Sequence, residues 1–228
     1  MTRALFLDYV YDWSVIPKSI RQLEQGLAFT LEIAALSLGF SLAAGLVVAL
    51  LRISPFRPLR AIAYAYTQIF RALSLYVYIL WVYFGLAAFL GIDLSPFQAG
   101  VVCLTLLNSA YMSEIYRSAI NSIESGQWEA ARSLGMNPLT AFVGVILPQA
   151  WRVALPSLVN QFVDIIKDTS VVALIGAGDL MYRTNVLVAF YNRPFEFYTT
   201  VGLTYVVVVF IVAQLANALE RRLKLPAT

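Results

Sequence analysis

Long apolar runs alternate with short polar ones along this chain, at a spacing that suits the thickness of a bilayer. A helix needs about 20 mostly apolar residues to cross the hydrocarbon layer. Leu27 to Leu51 meets that length with Glu32 as its one charge, and Arg52 closes it. Ala72 to Leu90 is a second run, with no charge inside it, and Phe97 to Met112 a third that ends at Ser113-Glu114. Val153 to Gly178 is apolar at both ends but holds Asp164, Lys167 and Asp168 in its middle. Phe197 to Leu219 is the fifth and again uncharged. The pattern predicts an all-α membrane protein with five transmembrane helices.

The segments between the runs set the expected orientation. Arg52-Ile53-Ser54-Pro55-Phe56-Arg57-Pro58-Leu59-Arg60 holds three Arg and no acid, and the tail Glu220-Arg221-Arg222-Leu223-Lys224 is basic too. Five crossings put these two segments on one side, and an excess of Lys and Arg marks that side as cytoplasmic. The N-terminus then lies outside, with residues 1–26 as an outer-side segment ahead of a transmembrane domain at 27–228. The Gly91–Pro96 turn and the Asp179–Glu196 loop face outward, and the segment of about 114–152 is the long inner loop. Six charges and no apolar core in residues 1–26 argue against a cleavable leader.

Composition narrows the chemistry. Of 228 residues 60% are hydrophobic and 13% charged, against about 25% charged in soluble domains. A water-facing surface of that size has too few polar residues to cover it. The one cysteine, Cys103, excludes a disulfide within the chain, and the lack of histidine excludes histidine acid–base catalysis and any Cys/His metal cluster. The net charge of +3 fits the loop bias of membrane proteins and does not call for nucleic acid. No Gly-x-x-x-x-Gly-Lys-Ser/Thr phosphate loop is present, so any ATP must be handled by another chain. A membrane enzyme is left without a nucleophile or metal site.

The inner loop carries the most informative spacing. Gly126-Gln127-Trp128-Glu129-Ala130-Ala131-Arg132-Ser133-Leu134-Gly135 is followed, ten residues after Gly135, by Val145-Ile146-Leu147-Pro148. Glu129 to Leu134 is good helix-forming sequence, Gly135 suits a helix C-cap, and Asn137-Pro138 resets the backbone for a new segment. A short helix outside the bilayer is therefore expected, followed by a turn. Read as a connector alone, its polar residues would do no more than solvate it.

This spacing resembles the Glu-Ala-Ala loop of bacterial ABC-importer permeases, with Val145 in place of the more usual Ile. Asn108-Ser109-Ala110-Tyr111, Glu114-Ile115-Tyr116-Arg117, Asn160-Gln161-Phe162, Lys167-Asp168-Thr169-Ser170 and Arg193-Pro194-Phe195-Glu196 look like the branch that takes up polar amino acids of the histidine, glutamine and arginine type. The resemblance runs from about Gly26 to Lys224. It implies a type I importer permease, multi-pass in the bacterial cytoplasmic (inner) membrane. Gly126, Glu129, Ala130, Ala131, Gly135, Leu147 and Pro148 would couple it to an ATPase. It implies further partners: a dimer of ATPase subunits holding ATP and Mg, so that this chain binds no cofactor; a second permease, identical or related; and a solute-binding protein. One departure stands out. Where the family commonly reads Phe-Arg-Gly-Thr-Pro-Leu, this chain reads Phe70-Arg71-Ala72-Leu73-Ser74-Leu75. Without the proline the helix is expected to continue unkinked.

The charges of the fourth run admit two readings. Asp164 and Asp168 are four apart and share a helix face, and Lys167 is three from Asp164. A carboxylate there would take the ammonium of a substrate, with Thr169 and Ser170 adding hydrogen bonds. Equally, the charges would pair with one another and hold the span against its neighbours. Glu32 and Glu114 are read as structural, Glu114 pairing with Arg117. Intramembrane Asp and Lys would also suit an autonomous ion-coupled transporter or channel, against which the coupling-type inner loop argues.

Overall fold

The computed structural model describes residues 9–223, and among these every regular element is helical. Helix α1 (Val15–Ile53) has 39 residues, about 58 Å at 1.5 Å per residue. It starts well before Leu27, so much of the expected outer-side segment is the first part of this helix. Its buried face is a row of small residues that includes Ser19, Gly26, Thr30, Ser37, Ser41, Gly45 and Ala49. Small residues let helix backbones approach where no hydrophobic drive separates helix from lipid. At Gly45 an added Cβ would lie 2.7 Å from the Met112 Cβ, and at Gly26 2.8 Å from the Leu180 Cα. Those two glycines fix how closely α1 lies on its neighbours.

Met112 belongs to α5 (Pro96–Asn121), the helix most enclosed by protein. Ser95 opens α5 with a reciprocal cap: its hydroxyl accepts from the Gln98 amide at 3.2 Å, and the Gln98 side chain accepts from the Ser95 amide at 3.0 Å. Because lipid touches little of α5, it carries fully buried polar residues, Asn108, Ser109 and Ser113. Each is satisfied by a carbonyl three or four residues earlier.

Between α1 and α5 the chain differs from the expected single second span. The segment read as a basic loop becomes helical at Arg57: α2 (Arg57–Ala72) runs to the predicted start of that span. The chain then breaks at Leu73-Ser74 and turns by 104° into α3 (Leu75–Leu80), a π-turn at Trp81–Gly85, and α4 (Leu86–Leu90). The expectation of an unkinked helix is therefore wrong. Leu73 and Ser74 are extended, with ψ of 137° and 125°. Tertiary contacts hold the bend in place of a proline. Phe70 meets the edge of buried Tyr78 at 5.5 Å between ring centroids, and the Tyr66 hydroxyl donates to the Leu106 carbonyl of α5 at 2.8 Å.

After α5 come α6 (Ser125–Ser133) and α7 (Pro138–Ala141), a π-turn at Phe142–Ile146, α8 (Leu147–Asp168) and a 3-10 stretch at Thr169–Ile175. From Pro138 to Ile175 these make one long helical rod of 38 residues, beginning earlier than the predicted Val153. Pro148 lacks an N–H and would crowd the carbonyl four residues back. The wider turn just before it relieves that conflict. Helices α9 (Leu180–Tyr191) and α10 (Pro194–Leu223) complete the bundle. Buried Asp179 caps α9, and Thr30 of α1 accepts from the Leu180 amide at 3.0 Å. The N-terminal strip is tied down as well: buried Glu196 accepts from the Tyr9 hydroxyl and, at 2.7 Å, from the Asp12 amide.

Length and apolarity single out three membrane-crossing helices among the described residues: α1, the Pro138–Ile175 rod and α10. The bent pair α2 to α4 makes a fourth candidate. Helix α5 is long enough but less apolar.

Candidate functional site

The inner-loop helix expected around Glu129 is α6. Gly135 closes it at φ +76°, a left-handed conformation that favours glycine. The Gly135 amide donates to the Arg132 carbonyl at 2.9 Å and the Met136 amide to the Ala131 carbonyl at 3.1 Å, the paired bonds of a Schellman cap. Asn137 then caps α7 by accepting from the Thr140 amide at 2.9 Å. The helix shows two faces. Gly126, Glu129 and Ala130 are exposed, whereas Ala131 is buried. Just past the helix, Leu134 and Leu139 are 81% and 72% exposed, apolar side chains set out in the open beside Glu129 and Arg132.

The inward face of α6 grips the base of the long rod. Trp128 stacks on Phe142 with ring centroids 6.4 Å apart and planes 20° from parallel. The Gln149 amide donates to the Gln127 side chain at 3.2 Å and to the Val145 carbonyl at 2.9 Å. Leu147 and Pro148 are not on α6's open surface. They line a cavity of about 510 Å³ with Tyr116 and Trp151 on the bundle side. Phe142 and Gln149 thus join α6 to the foot of α8.

Helix α8 carries the charges at its far end. Lys167 and Asp164 pair at 2.6 Å with side chains 56% and 51% exposed. Asp168 is half-buried and makes no ion pair or hydrogen bond among the described residues. Ser157 and Asn160 lie on the same open side as Lys167. The structure separates the two hydroxyls from this face: Thr169 is fully buried and donates to the Ile166 carbonyl at 2.6 Å, and Ser170 donates to the Lys167 carbonyl at 2.8 Å. Behind the open face, the Gln161 amide donates to Asn108 of α5 at 2.7 Å.

Glu114 has more partners than the expected one. It does pair with Arg117, at 2.8 Å. It also bonds Arg52 from the end of α1, and Arg71 from the end of α2 comes within 3.8 Å. Arg52 further donates to Thr67 at 2.8 Å. Arg52 and Glu114 each close an apolar run, which was the available signal; that they meet is a matter of tertiary packing. Glu32 is exposed.

Comparison with known proteins agrees with this architecture. Residues 20–225 match the family model described as binding-protein-dependent transport system inner membrane component. The arginine transport system permease protein ArtQ of Bacillus subtilis is 39% identical over 213 residues, covering 93% of this chain and 97% of that protein. The probable glutamine ABC transporter permease protein GlnM of the same organism is 36% identical, covering 87% and 92%. Among solved structures, a crystal structure of an amino acid ABC transporter with histidines superposes with a TM-score of 0.89 at 34% identity, over 94% of this chain and 100% of that one.

Proposed function

The chain belongs to the family of binding-protein-dependent transport system inner membrane components, and from that premise we propose that it forms the import path for polar amino acids or similarly small zwitterions. It is the permease subunit of an ABC importer, a transport subunit and not an enzyme. In the proposed arrangement two permeases, identical or related, stand side by side in the bacterial inner membrane. A pair of ATPases binds ATP and Mg below them, and a solute-binding protein delivers from outside. Five crossings are proposed: α1, the bent α2–α4 unit, α5, the Pro138–Ile175 rod and α10. This puts the N-terminus outside and the C-terminus in the cytoplasm.

One observation carries the mechanism: α6 is joined by Trp128, Phe142 and Gln149 to the foot of the same rod that bears Asp164, Lys167 and Asp168. Charges this exposed on a membrane helix are too costly to face lipid, at about 2.5–3.5 kcal/mol each at the bilayer centre. They therefore line a water-filled path or meet the second permease. The exposed side of α6, with Glu129, Leu134 and Leu139, is the surface that an ATPase grips. Closure of the ATPases moves α6, the rod follows, and its charged face opens to the outside and then to the cytoplasm. Lys167 presents a cation to a substrate carboxylate, and Asp164 and Asp168 present anions to its ammonium.

Reconstitution with the ATPase and binding protein tests this. Gly135→Pro removes the left-handed cap; uptake should vanish while the ATPases still hydrolyse ATP. Uptake at the unaltered level, or solute movement by the purified permease without ATPases, would defeat the proposal. Asp168→Asn should abolish uptake with assembly intact; loss of assembly instead would assign the cluster to internal pairing.

A further inference from the structure

At the opposite end of α8 from its charges, and on the other side of α5, four arginines converge. Arg52, Arg57, Arg60 and Arg117 line a cavity of about 470 Å³ whose remaining walls are Ala61 and Tyr64. No acid lines it. Glu114 behind it engages Arg52 and Arg117, and Arg52 also lies over the Tyr64 ring, 5.2 Å from its centroid. Arg57 and Arg60 have no ion pair among the described residues. They stand on the first turn of α2, which has no acidic residue and no side-chain cap. A helix start is already electropositive. Two guanidiniums there, beside two more, are mutually repulsive until an anion enters. The four arginines carry more positive charge than Glu114 balances.

We propose that this cavity binds the phosphate of an anionic phospholipid. Guanidinium forks match phosphate oxygens in pairs, and basic pockets between transmembrane helices on the cytoplasmic side hold such headgroups. A lipid is favoured over free phosphate because large apolar side chains adjoin the arginines: Tyr64 in the cavity wall and Phe56, one turn before Arg60, are both exposed. An acyl chain lying along α2 would cover them while its phosphate sits among the arginines. The cavity also touches the ends of α1 and α5 and the start of α2, so an occupied cradle ties together the three elements that meet at Glu114. The inference rests on the proposed orientation, which puts the cavity at the inner leaflet.

Native mass spectrometry of the purified permease–ATPase complex, titrated with phosphatidylglycerol or phosphatidylcholine, reads the site directly. The unaltered complex should retain phosphatidylglycerol in preference. The double variant Arg57→Gln/Arg60→Gln should weaken that retention about 30-fold, at the usual worth of a surface Arg near anionic lipid. Arg57→Lys/Arg60→Lys, which keeps the charge but not the fork, should retain an intermediate amount, and an unchanged denaturation midpoint for both variants excludes a folding defect. Equal retention of both lipids, or retention untouched by the Gln variant, would overturn the proposal. Displacement of the lipid by millimolar inorganic phosphate would assign the cradle to a free anion instead and overturn the lipid assignment. Orientation is checked separately: Pro55→Cys should react with an impermeant thiol reagent from the cytoplasmic side only. Native Cys103 is fully buried and stays silent. Labelling from outside would refute the topology while leaving the lipid measurement standing.

Discussion

Two polar regions of this molecule look alike in composition and behave oppositely. The seam between α1 and α5 holds Ser41, Ser109 and Ser113, with Arg52 and Glu114 at its end, and the protein satisfies them itself. Ser41 donates to the Thr105 carbonyl at 3.3 Å, and Glu114 is surrounded by guanidiniums. The open face of α8 holds Ser157, Asn160, Asp164 and Lys167, and only one pair among them is closed. Polarity inside a membrane is expensive wherever it occurs. In the seam it is satisfied within the protein, partly inside α5 and partly between helices, and on α8 it is left available. The difference teaches where to look for transport: at polar groups whose partners are not in the chain.

The comparison breaks most readily at Glu114. Glu114→Gln leaves Arg52 largely buried without its carboxylate and should cost about 3 kcal/mol of stability, read as a lower midpoint in detergent denaturation. A smaller loss, of about 2 kcal/mol, is expected for Gly45→Val, because its side chain must displace Met112 and the Ser109 carbonyl. On the open face the sign of the contrast reverses. Lys167→Met should change stability by no more than about 0.5 kcal/mol, since an exposed pair contributes little, while uptake by the reconstituted importer falls sharply. Were Lys167→Met to unfold the protein as Glu114→Gln does, the two regions would be alike after all.

Much of this was legible in the sequence wherever the cause is local. The end of α6 at Gly135 and the new start at Asn137-Pro138 follow from cap chemistry within a few residues. The Ser95 cap and the enclosed α5 fall close to the third apolar run. What escaped depends on contacts far apart in the chain. Helix α2 has an arginine-rich start and reads as a loop; its helicity comes with packing on α1 and α5, through Tyr66 and Thr67. The bend at Leu73-Ser74 has no proline to announce it and is held by Phe70 against Tyr78. The fourth span was expected from Val153, yet the rod starts at Pro138 and passes Pro148 on a widened turn. Arg52 and Glu114 were visible separately, but nothing between residues 52 and 114 says that they touch.

That widened turn at Phe142–Ile146 sets a compass bearing for everything beyond it. Each residue added to a helix advances the next side chain by about 100°. The direction in which Lys167 points is therefore chosen some twenty residues away, at the place where α6 takes hold. Narrowing the widened turn to an ordinary one with all five residues kept would swing the charged face by roughly 100° with no change to a charged residue, whereas removing Gly144 as the turn narrows would leave Lys167 pointing where it does. The grip and the aim of this rod are settled in the same five residues.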